Sequence, residues 1–314
     1  MGRVGIAGVT ALCAALAAGP SLAVATGSPS SLILVYLSQL PLFIGGLWLG
    51  AGVAVAAGVT ASIMLLAASN ITAALMFAAL NVVPVILLVR QALLARTGTA
   101  GAIEWYPPGL LAVWLTGLGL TAMAVALLVF GGPDGLQSAV RETLAPALDR
   151  LFDESVPGRD ELANLLAMIM PGLVAASWIA MTLVNGILAQ GLLARFGASW
   201  RPSPALGTLS LPRWFPVLPV LATGATALGG TMRFLGVNMM IVLTVPFCLA
   251  GLAVLHIIAY RFSRPAILLV SFYVLAGLFG WPLLVITVLG LIDALLRLRG
   301  RFPLRQSVGG RNDG

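Results

Sequence analysis

Long apolar stretches separated by short polar gaps recur from Val4 almost to Leu298, and their lengths predict membrane-spanning helices. About 20 apolar residues cross a hydrocarbon core of about 30 Å at 1.5 Å per residue. The first such stretch runs from Val4 to about Ala25. The next, Leu32 to Val89, is too long for two helices and divides at Gly50-Ala51-Gly52 and at Ser69-Asn70 into three. Arg90 and Arg96 close that block. Leu110 to Phe130 reads as a fifth helix, entered through Trp105-Tyr106-Pro107-Pro108, a composition suited to the membrane interface.

A polar segment, Pro133 to Glu161, interrupts the pattern with seven acidic residues and three arginines. Leu136, Val140, Leu144, Leu148 and Leu151 recur in it at helical spacing, with Asp134 placed as an N-cap. The expectation is an amphipathic helix, bent or weakened at Pro146, lying on the membrane face or packing on its own protein. Leu162 to Ala194 forms a sixth helix, longer than a bilayer needs, so it tilts, kinks at Pro171 or protrudes. Trp214 to Met232 and Gly236 to Tyr260 read as the seventh and eighth. Pro265 to Leu296 is broken by Gly280-Trp281-Pro282 into two short helices. The predicted fold is therefore an all-α polytopic bundle of about 8–10 spanning helices with an external amphipathic helix. It forms a single membrane domain over residues 1–300, made of 1–131 with five helices, the 133–161 linker and 162–300. A disordered basic tail, 301–314, follows.

Composition sharpens this picture. Hydrophobic residues reach 60%, charged residues only 9%, and mean hydropathy is +1.06, so lipid must be the solvent for much of the surface. All 17 basic residues are arginine in a chain rich in Ala, Gly, Val and Leu, a pattern of GC-rich bacterial coding. The net charge of +7 would indicate nucleic acid in a soluble protein. Here the arginines lie in short loops between apolar segments, which is the positive-inside pattern and excludes a nucleic-acid partner. With a cytoplasmic N-terminus, 13 of the 17 fall inside, and only Arg141, Arg150, Arg159 and Arg233 fall outside. That parity favours ten crossings in a bacterial inner membrane with both termini cytoplasmic. Eight remain if the Leu32–Val89 block holds a re-entrant piece and the last hairpin does not fully cross. Arg3, an apolar core and Ala23-Val24-Ala25 also resemble a cleavable signal peptide. Retention of the first helix is the expectation, because its removal spoils the arginine parity.

Chemistry-bearing residues are sparse. Cys13 and Cys248 sit in apolar runs without CxxC spacing, as buried small hydrophobes do, and one histidine cannot build a histidine metal cluster. No intramembrane carboxylate pair, HExxH or nucleophile with a base is present, so neither an enzyme nor a cofactor is expected. His256, one turn before Tyr260, reads as an interfacial histidine, and Arg233 as an arginine snorkelling to headgroups. Asp293 and Arg297, spaced i,i+4 at the end of the last helix, form a candidate structural ion pair.

The amides next to prolines are more suggestive. Gln39 precedes Pro41 by two residues and Asn81 precedes Pro84 by three, within helices two and four, which run parallel. A proline frees a backbone carbonyl, and broken helices of this kind build midplane sites in transporters. Ser177, Trp178 and Asn185 on the sixth helix are placed to face the same interior, where the tryptophan would offer an apolar wall to a ligand carrying a ring. The alternative is that these residues only mediate helix packing. Small-residue spacings, Ala7, Ala11 and Ala15 on the first helix and Gly46 with Gly50 on the second, permit close approach within the chain or to another membrane protein.

The second half resembles the YybS-like family of bacterial membrane proteins. The residues that carry the likeness are Pro171-Gly172, Asn185, Arg195, Leu211-Pro212-Arg213-Trp214, Gly251-Leu252, His256, Gly290-Leu291-Ile292-Asp293, Arg297 and Arg299. The family is distantly similar to the substrate-binding S components of energy-coupling-factor transporters. The resemblance thus implies a bundle that binds a small molecule and whose first-helix alanines contact a partner. Against it stands a non-enzymatic scaffold or assembly factor of the cell envelope. A polar interior site favours the first, and a solid bundle with an exposed small-residue face favours the second.

Overall fold

The computed structural model describes residues 2–24, 34–98, 101–152 and 158–297. The basic tail, the acidic residues Asp153 and Glu154, and the Ala25 end of the signal-like segment lie outside them. The chain is built from α1 (Arg3–Val24), α2 (Gln39–Leu49), α3 (Ala51–Ala68), α4 (Ile71–Phe77), a π-helical turn (Ala78–Val82) and α5 (Val83–Ala92). A hairpin of β1 (Ala95–Thr97) and β2 (Ile103–Trp105) follows, then α6 (Pro108–Val129), α7 (Pro133–Leu151) and α8 (Arg159–Arg195). The last four helices are α9 (Val217–Ala227), α10 (Gly230–Ala259), α11 (Pro265–Phe279) and α12 (Trp281–Leu296). The protein is a multi-pass, all-α membrane bundle. Among the described residues six helices are long and apolar enough to cross a bilayer, and a seventh if α11 and α12, bent by 119° at Gly280, make one span. Leu34–Leu49 and Val217–Ala227 are shorter apolar helices.

The Leu32–Val89 block divides where its composition predicts. Gly50 caps α2 at φ 103°, a conformation a side chain would oppose, and Asn70 N-caps α4 by accepting from the Ala73 N–H. Elsewhere the boundaries differ from expectation. The seventh helix shrinks to Val217–Ala227 and the eighth starts earlier, at Gly230, because Gly229 and Gly230 both take positive φ and turn the chain there. The amphipathic helix is capped two residues earlier than Asp134, the expected cap. Gly132 is its N-cap, Pro133 fills the first helical position, and Asp134 lies in the first turn, where a carboxylate favours the helix dipole. That helix runs through Pro146 and buries Leu136 and Leu148, packing on α8 and α6. The 95–105 hairpin has no apolar alternation to announce it; its register pairs Arg96 with Glu104, whose side chains form an exposed ion pair at 2.8 Å.

Helix α8, 37 residues long, is the spine. It touches α2, α6, α7 and α10. On one side α1 to α5 pack together, and on the other α10 gathers α9, α11 and α12. Glycines set the closest approaches. A Cβ on Gly290 would stand 1.8 Å from the Phe247 carbonyl oxygen, and one on Gly251 would stand 1.9 Å from that of Ile286. A Cβ on Gly46 would stand 2.9 Å from the Ala54 Cβ and 3.0 Å from the Val89 methyls, so this half of the Gly46/Gly50 spacing serves packing within the chain. Ala7, Ala11 and Ala15 instead lie on the exposed face of α1.

A clasp closes the end of the bundle marked by Arg90 and Arg195. Arg201, 6% exposed, donates to the carbonyls of Ala92 and Tyr106, while Gln190 holds the Arg201 carbonyl and the Trp200 indole reaches the Trp48 carbonyl. Burial pulls the Arg201 guanidinium below its ordinary pKa, and the two carbonyls it grips take up its donors.

Candidate functional site

Two irregular helices define the site. Pro84 has no N–H, so the carbonyl four residues back, Leu80, loses its helical donor. The π-helical turn at Ala78–Val82, closed by the Val83 N–H onto the Ala78 carbonyl, swings this stretch out of regular register. The Leu80 carbonyl then takes two side-chain donors from other helices, Gln39 Nε2 at 3.1 Å and Trp178 Nε1 at 2.9 Å. The second irregularity is the entry to α2. The chain tightens there into three-residue turns, with Leu37, Ser38 and Leu40 N–H groups donating to Leu34, Val35 and Leu37. Pro41 contributes to this, because its missing N–H leaves the Leu37 carbonyl to Leu40. The Tyr36 carbonyl, left over, accepts Asn185 Nδ2 at 2.7 Å, and the same nitrogen donates to Met181 at 2.8 Å.

The structure therefore brings together all five of the residues singled out by sequence. Gln39 and Trp178 share the Leu80 carbonyl, and Asn185 holds Tyr36. Asn81 Oδ1 accepts from the Ser38 hydroxyl at 3.1 Å, and Ser177 Oγ lies 3.4 Å from the Tyr36 hydroxyl. Gln39 and Asn185 are buried, Asn81 and Trp178 half-buried, and Ser177 exposed. Reasoning from sequence missed Ser38, fully buried beside Gln39, and Thr182, fully buried one turn beyond Trp178. Their spacing from the amides was the available signal.

Depth follows from helix length. Asn185 lies ten residues before Arg195, and Asn81 nine before Arg90. At 1.5 Å per residue both are about 15 Å from the arginine-marked boundary, half-way through a core of about 30 Å.

The donors and acceptors do not balance. Every described amide N–H bond of Gln39 and Asn185 ends on a backbone carbonyl, while Gln39 Oε1, Asn185 Oδ1 and Thr182 Oγ1 are buried without a hydrogen-bond partner. Such an imbalance is uncommon and costs of order 1–3 kcal/mol per group when nothing fills it. Beside this seam a groove of about 460 Å³ runs between the ends of α1 and α3 and the α4–π segment, lined among others by Ser21, Ser69, Phe77, Leu80 and Asn81. Asn81 thus belongs both to the buried network and to an open, mainly apolar groove.

The expected Asp293–Arg297 pair is not formed. Arg297 ends α12 in the left-handed conformation, φ 51°, which carries it off the helical face that an i,i+4 pair needs; its backbone N–H bonds the Asp293 carbonyl at 2.7 Å instead. Asp293 itself is buried. His256 bonds the Leu252 carbonyl through Nδ1 and faces the Tyr273 ring. Among the described residues no three His, Cys, Asp or Glu side chains gather as a metal site. Comparison with protein-family models, curated proteins and solved structures returns no match.

Proposed function

We propose that this protein binds a small molecule within the bilayer and serves transport, with the seam between α2, the π-helical turn and α8 as its site. The observation that carries the reading is the convergence of two interrupted helices on α8 at mid-depth, with freed carbonyls and half-used amides at one locus beside a groove. Irregular backbone in a membrane is tolerated where it lines a cavity or is enclosed by protein, and discontinuous helices meeting at mid-depth are how secondary transporters hold substrate. A groove walled by Phe77 and Leu80, with the Asn81 amide at its edge, suits an apolar or ring-bearing ligand with one hydrogen-bonding group. The resemblance to YybS-like proteins leads to the same class, and the arginine distribution supports a bacterial inner membrane with both termini cytoplasmic.

Purification in lipid nanodiscs followed by native mass spectrometry tests this. A bound small molecule in the wild type, lost in Asn81→Leu, is the expected result. Ligand-free protein that carries other subunits instead would turn the account to the scaffold reading. That second reading has its own observation: Ala7, Ala11 and Ala15 present a small-residue face outward, with nothing within 4 Å of where a Cβ on Gly8 or Gly19 would stand. Ala11→Leu should release such subunits and leave a bound ligand in place.

A further inference from the structure

We infer that Gln39, Thr182 and Asn185 hold a small monovalent cation, of sodium size, in the seam between α2 and α8. The three side chains are fully or almost fully buried, and each leaves an oxygen without a partner. Their closeness follows from the bonds around them. Gln39 and Trp178 donate to one carbonyl, Thr182 is one turn along α8 from Trp178, and Asn185 is a further three residues on, bonded to Tyr36 just ahead of Gln39. The amide nitrogens are spent on the carbonyls of Leu80, Tyr36 and Met181, and the negative ends of the two amide dipoles are the ends left without a partner. Thr182 differs from Thr116, the other buried threonine among the described residues. Thr116 returns its hydroxyl to the Ala112 carbonyl four residues back, as Thr10, Thr121, Thr143, Thr223 and Thr287 do to theirs. Thr182 does not, although its helix continues on both sides.

Neutral amide and hydroxyl oxygens are hard donors suited to hard cations, and oriented dipoles in a low-dielectric setting stabilise a positive guest without a carboxylate. The nearest arginine along α8, Arg195, is about 15 Å away by helix rise, so no guanidinium of that helix lies against the three oxygens. Half-helix ends and unwound carbonyls coordinate coupling ions in broken-helix transporters, so a cation here would couple directly to the groove through the Ser38–Asn81 contact. This inference rests on the seam proposed above as the ligand site, but its test needs no organic ligand.

The test is the thermal unfolding midpoint of the full chain in nanodiscs, titrated with NaCl against choline chloride at constant ionic strength. A saturable, sodium-specific rise in the wild type is expected. It should vanish in Thr182→Val, which removes one oxygen and none of the described bonds, and persist in Thr121→Val on the exposed face of α6. Equilibrium binding of radioactive sodium to the wild type gives the same decision if Thr182→Val does not fold. No saturable sodium effect, or one that survives in Thr182→Val, overturns the inference. Loss of the sodium response with a ligand still co-purifying would sink this inference alone.

Discussion

Two buried amide junctions tie α8 to its neighbours, and they are built in opposite ways. At one, Asn238 of α10 inserts its carboxamide into the ladder of α8 beside Pro171. Its Oδ1 accepts the Gly172 N–H at 2.5 Å, and its Nδ2 donates to Met168 and Phe234 at 2.9 and 2.8 Å. Both ends of the amide are used, and Gly172 has no side chain because a Cβ would stand 2.8 Å from Asn238 Oδ1. At the other, Gln39 and Asn185 spend their nitrogens on stray carbonyls and leave their oxygens unmatched. The first junction lies about 35 Å along α8 from Arg195, past the hydrocarbon core, and the second at about 15 Å, in its middle. A saturated amide is a joint. An amide with only its donors spent is what the proposed cation site requires.

Substitutions that remove one side of each junction should separate the two roles. Asn238→Leu orphans the Gly172 N–H and the Met168 carbonyl at once, and should cost roughly 3 kcal/mol or more, read as a large drop in unfolding midpoint or in yield. Asn185→Leu loses the bond to Tyr36 but also removes an unmatched oxygen, so its cost should be smaller, about 1–2 kcal/mol by the same measurement. If Asn185→Leu proved as damaging as Asn238→Leu, both would be joints and the comparison would collapse. Trp178→Phe should cost about 1 kcal/mol or less, because Gln39 still donates to the Leu80 carbonyl. Thr182→Val in sodium-free buffer should be the mildest, neutral or stabilising by up to about 1 kcal/mol, since it deletes a buried hydroxyl with no partner. A clear destabilisation there would mean that the hydroxyl has a protein partner after all.

Much of this architecture could be read from residues before any coordinates. The breaks at Gly50 and Asn70, the long α8 and the Gly280 bend follow from apolar length and from glycine, asparagine and proline, whose effects are local. The gathering of Gln39, Asn81, Ser177, Trp178 and Asn185 was legible for a related reason: few polar residues lie in these spans, and each needs a partner that lipid does not supply. What stayed hidden depends on contacts between distant elements. The Arg201 clasp joins carbonyls of Ala92 and Tyr106, and Asn238 finds its socket on a helix 66 residues earlier in the chain. Neither has a spacing to betray it. The Asp293–Arg297 pairing failed because one left-handed residue ended the helix a step too soon for i,i+4 geometry.

The most direct measurement of the central claim is a high-resolution cryo-EM map of the protein in nanodiscs with sodium present. Bound sodium should appear as a density peak in contact with Gln39 Oε1, Thr182 Oγ1 and Asn185 Oδ1, between α2 and α8. A map in which these three oxygens meet donors of the protein itself, with no density between them, would contradict the claim.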